Sequence, residues 1–193
     1  GSPLRKSELI EPCIQAEALV SGAHADNVAP ALLGGLVLVR SLDPLDVVRL
    51  PVPEGLSMVV VTPDFELETR KARAVLPSQV PLADLIHNAA HLASFVSACH
   101  SGDTALMGRS ISDVVVTPAR MSLIPGCRQV IDAAMAMGAL GSSISGAGPS
   151  VFAICRSAQS AGEIGAVMAA EFSKSGLDAT ILTSPMNCAG ARC

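Results

Sequence analysis

The stretch Ser145-Gly146-Ala147-Gly148-Pro149-Ser150 sets two glycines, an alanine and a proline between two short apolar runs, Ala139-Leu140 and Val151-Phe152-Ala153-Ile154. Glycines at alternate positions admit positive φ and remove the Cβ atoms that hold a ligand or a neighbouring loop away. Successive amide N–H groups in such a loop can face an anion together. A tight turn joining two strands makes the same demand on residue type, and these six residues alone leave both readings open.

Composition limits what the loop can belong to. Of 193 residues, 50% are hydrophobic and 16% charged, the balance of a globular chain with ample core and not of a disordered one. A net charge of −4, no Trp, no Tyr and only four Phe leave neither the basic stripe nor the stacking residues of a nucleic-acid binder. The longest apolar run, Val28 to Val39, contains Pro30 and a Gly-Gly pair and falls short of the roughly 20 residues a membrane helix needs. No membrane or nucleic-acid partner is therefore expected. The six cysteines, Cys13, Cys99, Cys127, Cys155, Cys188 and Cys193, form no C-x-x-C pair and sit mostly in apolar segments, as reduced cysteines do. No leader or transit stretch is visible, and there is no initiator Met. Gly1-Ser2-Pro3-Leu4 and the end at Gly190-Ala191-Arg192-Cys193 suggest a fragment of a longer protein.

Along the chain, Ser7 to Val20 has helical spacing of Ile10, Cys13, Ile14, Ala18 and Leu19, with Pro12 in its early turns. The polar group His24, Asp26 and Asn27 then stands directly before an apolar run. It reads equally as an Asp/Asn turn before a strand at Leu36 to Arg40 and as a substrate site. Ser41 to Asp46 is a bend and the expected domain boundary, giving units 1–45 and 46–193. Val47 to Val52 and Leu56 to Thr62 read as strands. Arg70, Lys71 and Arg73 make either a solvated helix face or a phosphate or carboxylate partner. Val80 to Gly102 has the apolar stripe of a long helix. Its His87 and His91 share a face without a third ligand nearby and are read as structural. Thr104 to Val115 is expected as a second helix packed antiparallel on the first, and Val116 to Gly126 as a linker. A helix to Met137 follows, opened by Ile124-Pro125-Gly126. After the glycine loop and its strand come a helix over Ser160 to Ser175 and a strand over Asp178 to Thr183. Hairpin and crossover helices together predict a split β-α-β sheet covered on one face by helices, an α+β fold.

Six motifs follow one another along the chain: Glu17; His24-Ala25-Asp26-Asn27-Val28-Ala29-Pro30 with Gly34-Gly35; Ala72-Arg73-Ala74-Val75-Leu76-Pro77; Pro118-Ala119-Arg120 with Leu123-Ile124-Pro125-Gly126; Ser143-Ile144-Ser145-Gly146-Ala147-Gly148-Pro149; and Ala189-Gly190-Ala191-Arg192. With its motifs in this order the chain closely resembles the homoserine kinases of the GHMP small-molecule kinase superfamily, and the resemblance covers essentially its whole length. It implies part of a ribosomal protein S5 domain 2-like domain, carrying the magnesium and substrate side, followed by a ferredoxin-like GHMP kinase C-terminal domain. It also implies transfer of the ATP γ-phosphoryl group to the hydroxyl of L-homoserine, in threonine biosynthesis. By the same resemblance Glu17 is the Mg2+ ligand, and His24, Asp26 and Asn27 hold the amino acid. Arg73 and Arg120 bind substrate carboxylate or transferring phosphoryl group, and Gly146, Ala147 and Gly148 steady the nucleotide loop. A homodimer is expected, in the cytoplasm or, for a plant protein, the plastid stroma.

Two departures bear on activity. The family's phosphate-cradling loop of the form P-x-x-x-G-L-G-S-S-A does not occur in the chain, so the chain alone is expected to bind ATP poorly. Thr117 stands where relatives often carry an acid. Two rivals are another kinase of the superfamily, which should lack the H-x-D-N cluster and both arginines, and a non-catalytic small-molecule-binding ferredoxin-like domain.

Overall fold

The computed structural model describes residues 5–19, 22 and 24–192. The expected helix end at Val20 and the expectation for Cys193 lie outside the described residues. Two compact units emerge, one made of Gly1–Glu54 with Met186–Cys193, the other of Gly55–Pro185.

In the first unit, α1 (Lys6–Ala18) begins where the Glu8 carboxylate accepts the Arg5 backbone N–H at 2.6 Å, satisfying a donor that has no helical partner. A second helix, α2 (Ala25–Leu33), occupies the stretch that reads as an Asp/Asn turn. The same residues suit both roles, because Asp and Asn favour turns and helix starts alike and the Asp26 charge complements the positive end of the helix dipole. The strands β1 (Leu36–Leu42) and β2 (Leu45–Leu50) form an antiparallel hairpin in which Leu36 faces Leu50 and Leu42 faces Leu45. The bend expected to divide the chain is the turn of this hairpin, tied across its base by an Arg40–Asp46 ion pair, so the division falls later, at Glu54/Gly55. Residues after Pro185 return to this unit, where Ala189 bridges Gly34 and Ala191 N–H donates to Ala31 C=O at 2.9 Å. Only glycines fit that crossing: a Cβ on Gly190 would stand 2.2 Å from Leu32 O, and one on Gly34 2.2 Å from Gly190 N.

The second unit holds β3 (Ser57–Pro63), α3 (Thr69–Ala74), α4 (Leu82–Ser101), α5 (Thr104–Arg109), α6 (Val116–Met121), α7 (Cys127–Ala136), β4 (Gly141–Ile144), β5 (Val151–Cys155), α8 (Ala158–Lys174) and β6 (Ala179–Pro185). Its four strands lie in the order β4-β5-β3-β6, every neighbour antiparallel. Taking those strands by sequence, the order is second, third, first, fourth, the ferredoxin-like arrangement. Alternation puts Val59, Val61, Val151 and Ala153 on one face, buried together with Ile164, Met168 and Phe172 of α8 and Val130 and Ala134 of α7. Gly165 lets α8 lie close on the sheet, since a Cβ there would meet Val59 and Ile181 side chains at 2.8 Å.

Two expectations on this unit are corrected. The second helix stops at Arg109, and residues 111–115 run outside helix. Ser110 closes that helix by donating its hydroxyl to Leu106 C=O at 2.7 Å. The expected linker contains α6, whose Pro118 sits in the first turn, where a missing N–H costs no helical bond. No described helix is long and apolar enough to cross a membrane.

Candidate functional site

In the first unit, α1 carries Glu17 and His24 stands at the N-terminal cap of α2. His24 Nδ1 lies 3.2 Å from Glu17 Oε1, with both side chains mostly buried. The His24 carbonyl accepts the Asn27 and Val28 N–H groups at 3.0 and 3.1 Å, so the histidine backbone starts the helix while its ring reaches back to α1. Asp26 and Asn27 sit exposed on the first turn of α2. Glu17, His24, Asp26 and Asn27 are thus gathered by two consecutive helices. The donor set fits a hard cation of Mg2+ type to the extent of one carboxylate, which is all such an ion usually takes from protein beside phosphate oxygens and water.

In the second unit, Arg120 joins three motifs that lie far apart in sequence. Its Nε donates to Ala72 C=O on α3 at 3.1 Å, and its Nη1 donates to Gly146 C=O in the glycine loop at 2.8 Å. Two of the five guanidinium N–H groups are thereby fixed on backbone, which sets the plane of the fork and leaves three donors for a ligand. Arg73 is exposed on α3, one residue after Ala72. Its neighbours Arg70 and Lys71 both turn to Glu68, at 3.8 and 2.7 Å, which accounts for them as a solvated face.

The glycine loop is closed by Ser145 N–H to Ser150 C=O at 2.8 Å and Gly148 N–H to Ser145 C=O at 2.9 Å. Gly146 has φ +57° with open space where a Cβ would point, whereas a Cβ on Gly148, at φ +84°, would meet Ile124 Cδ1 at 2.8 Å. Close approach is therefore needed inside the protein at Gly148, and conformation alone at Gly146. Ala147 lies between them, half-buried.

A cavity of about 410 Å³ opens beside these residues, walled by Leu92 and Phe95 of α4, Ile111, Val116 and Phe152, with Arg120 among the polar groups that line it. That size suits a small molecule.

Sequence reasoning missed Asp113, which organises this region. Its carboxylate accepts the backbone N–H groups of Val115, Val116 and Thr117 and the side-chain amide of Asn88 at 2.8 Å. Partial burial alone would push its carboxyl up, but the Val115 and Thr117 N–H donors, the Thr117 hydroxyl and Asn88 outweigh burial and hold it at about 2. The only signal in sequence was an Asp shortly before a Thr-Pro, a helix-start pattern. The Thr117 hydroxyl also lies 3.1 Å from Ser143 Oγ, joining the start of this helix to β4. His87 and His91 stack at 4.0 Å, and His87 Nε2 meets Ser112 Oγ at 2.9 Å.

Residues 95–174 match the family model described as GHMP kinases C terminal, and the chain carries that domain, as its motifs led one to expect. Its curated relatives include homoserine kinases. The one from Chlorobium phaeovibrioides is 44% identical over the whole of this chain and 61% of its own length, and the one from Arabidopsis thaliana is 42% identical over 91% of this chain and 48% of its own length. The crystal structure of homoserine kinase from Cytophaga hutchinsonii superposes with a TM-score of 0.95 at 43% identity, covering 98% of this chain and 61% of that one. The chain thus spans about three fifths of the length of the first of these relatives and of that structure.

Proposed function

We propose that the chain is the substrate-binding and loop-steadying part of a homoserine kinase, an ATP-dependent phosphotransferase that gives O-phospho-L-homoserine. The observation that carries this reading is Arg120. One guanidinium ties the helix bearing Arg73 to the glycine loop, and it does so in a chain 44% identical over its whole length to the homoserine kinase of Chlorobium phaeovibrioides.

L-Homoserine presents an ammonium, a carboxylate and a hydroxyl. Asp26 supplies an acceptor for the ammonium, and His24 and Asn27 supply polar contacts beside it. Arg73 and Arg120 provide donors for the carboxylate and for the charge of the transferring phosphoryl group. Phosphoryl transfer through a loose transition state depends mainly on positioning and charge stabilisation, so a strong general base is not required of these residues. Glu17, oriented by His24, would hold Mg2+, which when bound neutralises the phosphate charge. Gly146, Ala147 and Gly148 steady the nucleotide side through the Arg120 contact. The cytoplasm, or the plastid stroma for a plant protein, is the proposed compartment.

The test is homoserine-dependent ADP release by the full-length protein with ATP and Mg2+. Release that requires homoserine supports the reading. A folded protein that releases no ADP with homoserine sinks it, and homoserine binding without turnover would favour a non-catalytic binding domain. Arg120→Ala and Asn27→Ala should each lower turnover by about 10²- to 10³-fold, the loss seen when one positioned charge-stabilising donor is removed, while leaving the circular dichroism spectrum unchanged.

A further inference from the structure

The helix that presents Arg120 has little to hold it in place by itself. α6 is six residues long and buries none of them completely. So short a helix, begun by β-branched Val116 and Thr117, is well below the length at which helices persist alone. Its position comes from its surroundings: Met121 at its end packs against the buried core, and hydrogen bonds hold the rest.

Those at its start converge on Asp113. Three consecutive N–H groups, from Val115, Val116 and Thr117, donate to one carboxylate, satisfying donors that a helix start otherwise leaves open. The carboxylate is itself held from α4. Asn88 donates to Asp113 Oδ1 at 2.8 Å and accepts the Val114 N–H at 3.2 Å, so a single amide grips both side chain and backbone of this turn. The preceding residue of α4, His87, grips Ser112. Two adjacent residues of a 20-residue helix therefore clamp two adjacent residues before α6. From that anchor the helix runs one turn to Arg120, whose guanidinium reaches Ala72 and Gly146.

We propose that Asp113, clamped by Asn88 beside the His87–Ser112 contact, is the positioning residue for Arg120: it fixes the start of α6 so that the guanidinium lands on the two backbone carbonyls and presents its remaining donors to the substrate. Asp113 touches no reacting atom in this scheme and acts only through Arg120. The inference deepens the proposed kinase function and rests on it.

A double-mutant cycle in the full-length protein tests the link. Asp113→Ala should lower kcat/KM for homoserine at least tenfold in the wild-type background, and by less than twofold when Arg120→Ala is already present. Asp113→Asn, which keeps an acceptor oxygen, should recover part of the loss and provides the same cycle if the alanine variant fails to fold. Losses that multiply in the double mutant, or a folded Asp113→Asn and Asp113→Ala pair with wild-type kinetics, overturn the inference. A second readout does not need turnover. The Arg120 Nε–H resonance, assigned by its disappearance in Arg120→Ala, should exchange slowly with water in the wild type and at least tenfold faster in the Asp113 variants. Unchanged exchange overturns the positioning role whatever the assay shows. Faster exchange in a protein with no homoserine-dependent ADP release overturns the kinase reading alone.

Discussion

Gly146 and Gly148 sit in one loop, two residues apart, and the structure asks different things of them. Both have positive φ, but only Gly148 has a neighbour where a side chain would go. Alanine at Gly146 should cost about 1–2 kcal/mol, the penalty of the left-handed conformation. Alanine at Gly148 adds the displacement of the Ile124 Cδ1 methyl, the movable end of its side chain, and should cost about 0.5–1.5 kcal/mol more. Thermal denaturation should therefore rank the melting temperatures wild type, Gly146→Ala, Gly148→Ala in descending order, and a reversed ranking would contradict the contact described. Asp113 gives a second test at this scale. Its carboxyl is held at about 2 in the folded chain, against an ordinary 3.8. The folded state thus binds the proton less readily than the unfolded one, and the stabilisation is complete above about pH 4 and lost as the pH falls towards 2. Urea midpoints measured from pH 5 to pH 2 should fall less steeply for Asp113→Asn than for the wild type.

At the scale of elements, the sequence is legible where one signal dominates. The apolar spacing over Leu82 to Ser101 marks α4, and the Val-rich stretch ahead of Pro63 marks β3. The same spacing says nothing of partners: Leu82, Leu85, Ile86 and Leu92 on α4 are all more than half exposed. Signals that serve two structures mislead. Asp26 and Asn27 suit a turn and a first helical turn equally, and Pro118 reads as a linker residue although the first turn of α6 accommodates it. The contacts of Arg120 were beyond reach, because Ala72 and Gly146 offer backbone oxygens that no side-chain pattern announces. Packing also imposes demands that composition hides. Gly108 on α5 would place a Cβ 2.1 Å from Leu140 O, just ahead of β4. Gly108→Ala must push helix from strand, and we expect a loss of about 1–3 kcal/mol by chemical denaturation, despite alanine being the better helix former.

For the molecule as a whole, the four residues gathered at α1 and α2 belong to one compact unit, and Arg73, Arg120 and the glycine loop to the other. Both sets were legible as motifs, whereas the division at Glu54/Gly55 was not, because the Asp43-Pro44 turn inside the β1–β2 hairpin carries the stronger breaker signal. The first unit includes Met186–Cys193, and its crossing near Gly34 admits no side chain at Gly190. Gly190→Ala should loosen the first unit selectively: limited proteolysis should cut within residues 5–54 at least several times faster, while Gly55–Pro185 resists as before. Equal acceleration in both units would show that the closing segment is not specific to the first.

That returning segment also sets an order of events during synthesis. Residues are added from the N-terminus at about 5–20 per second, so α1, α2 and their hairpin leave the ribosome well before Ala189 and Ala191 exist. Gly55–Pro185 has all of its strands once β6 has emerged. Of these two units, the one whose helices are translated earlier is therefore the later to finish, and during that interval its open flank at Ala31 and Gly34 is available to chaperones or to wrong pairings.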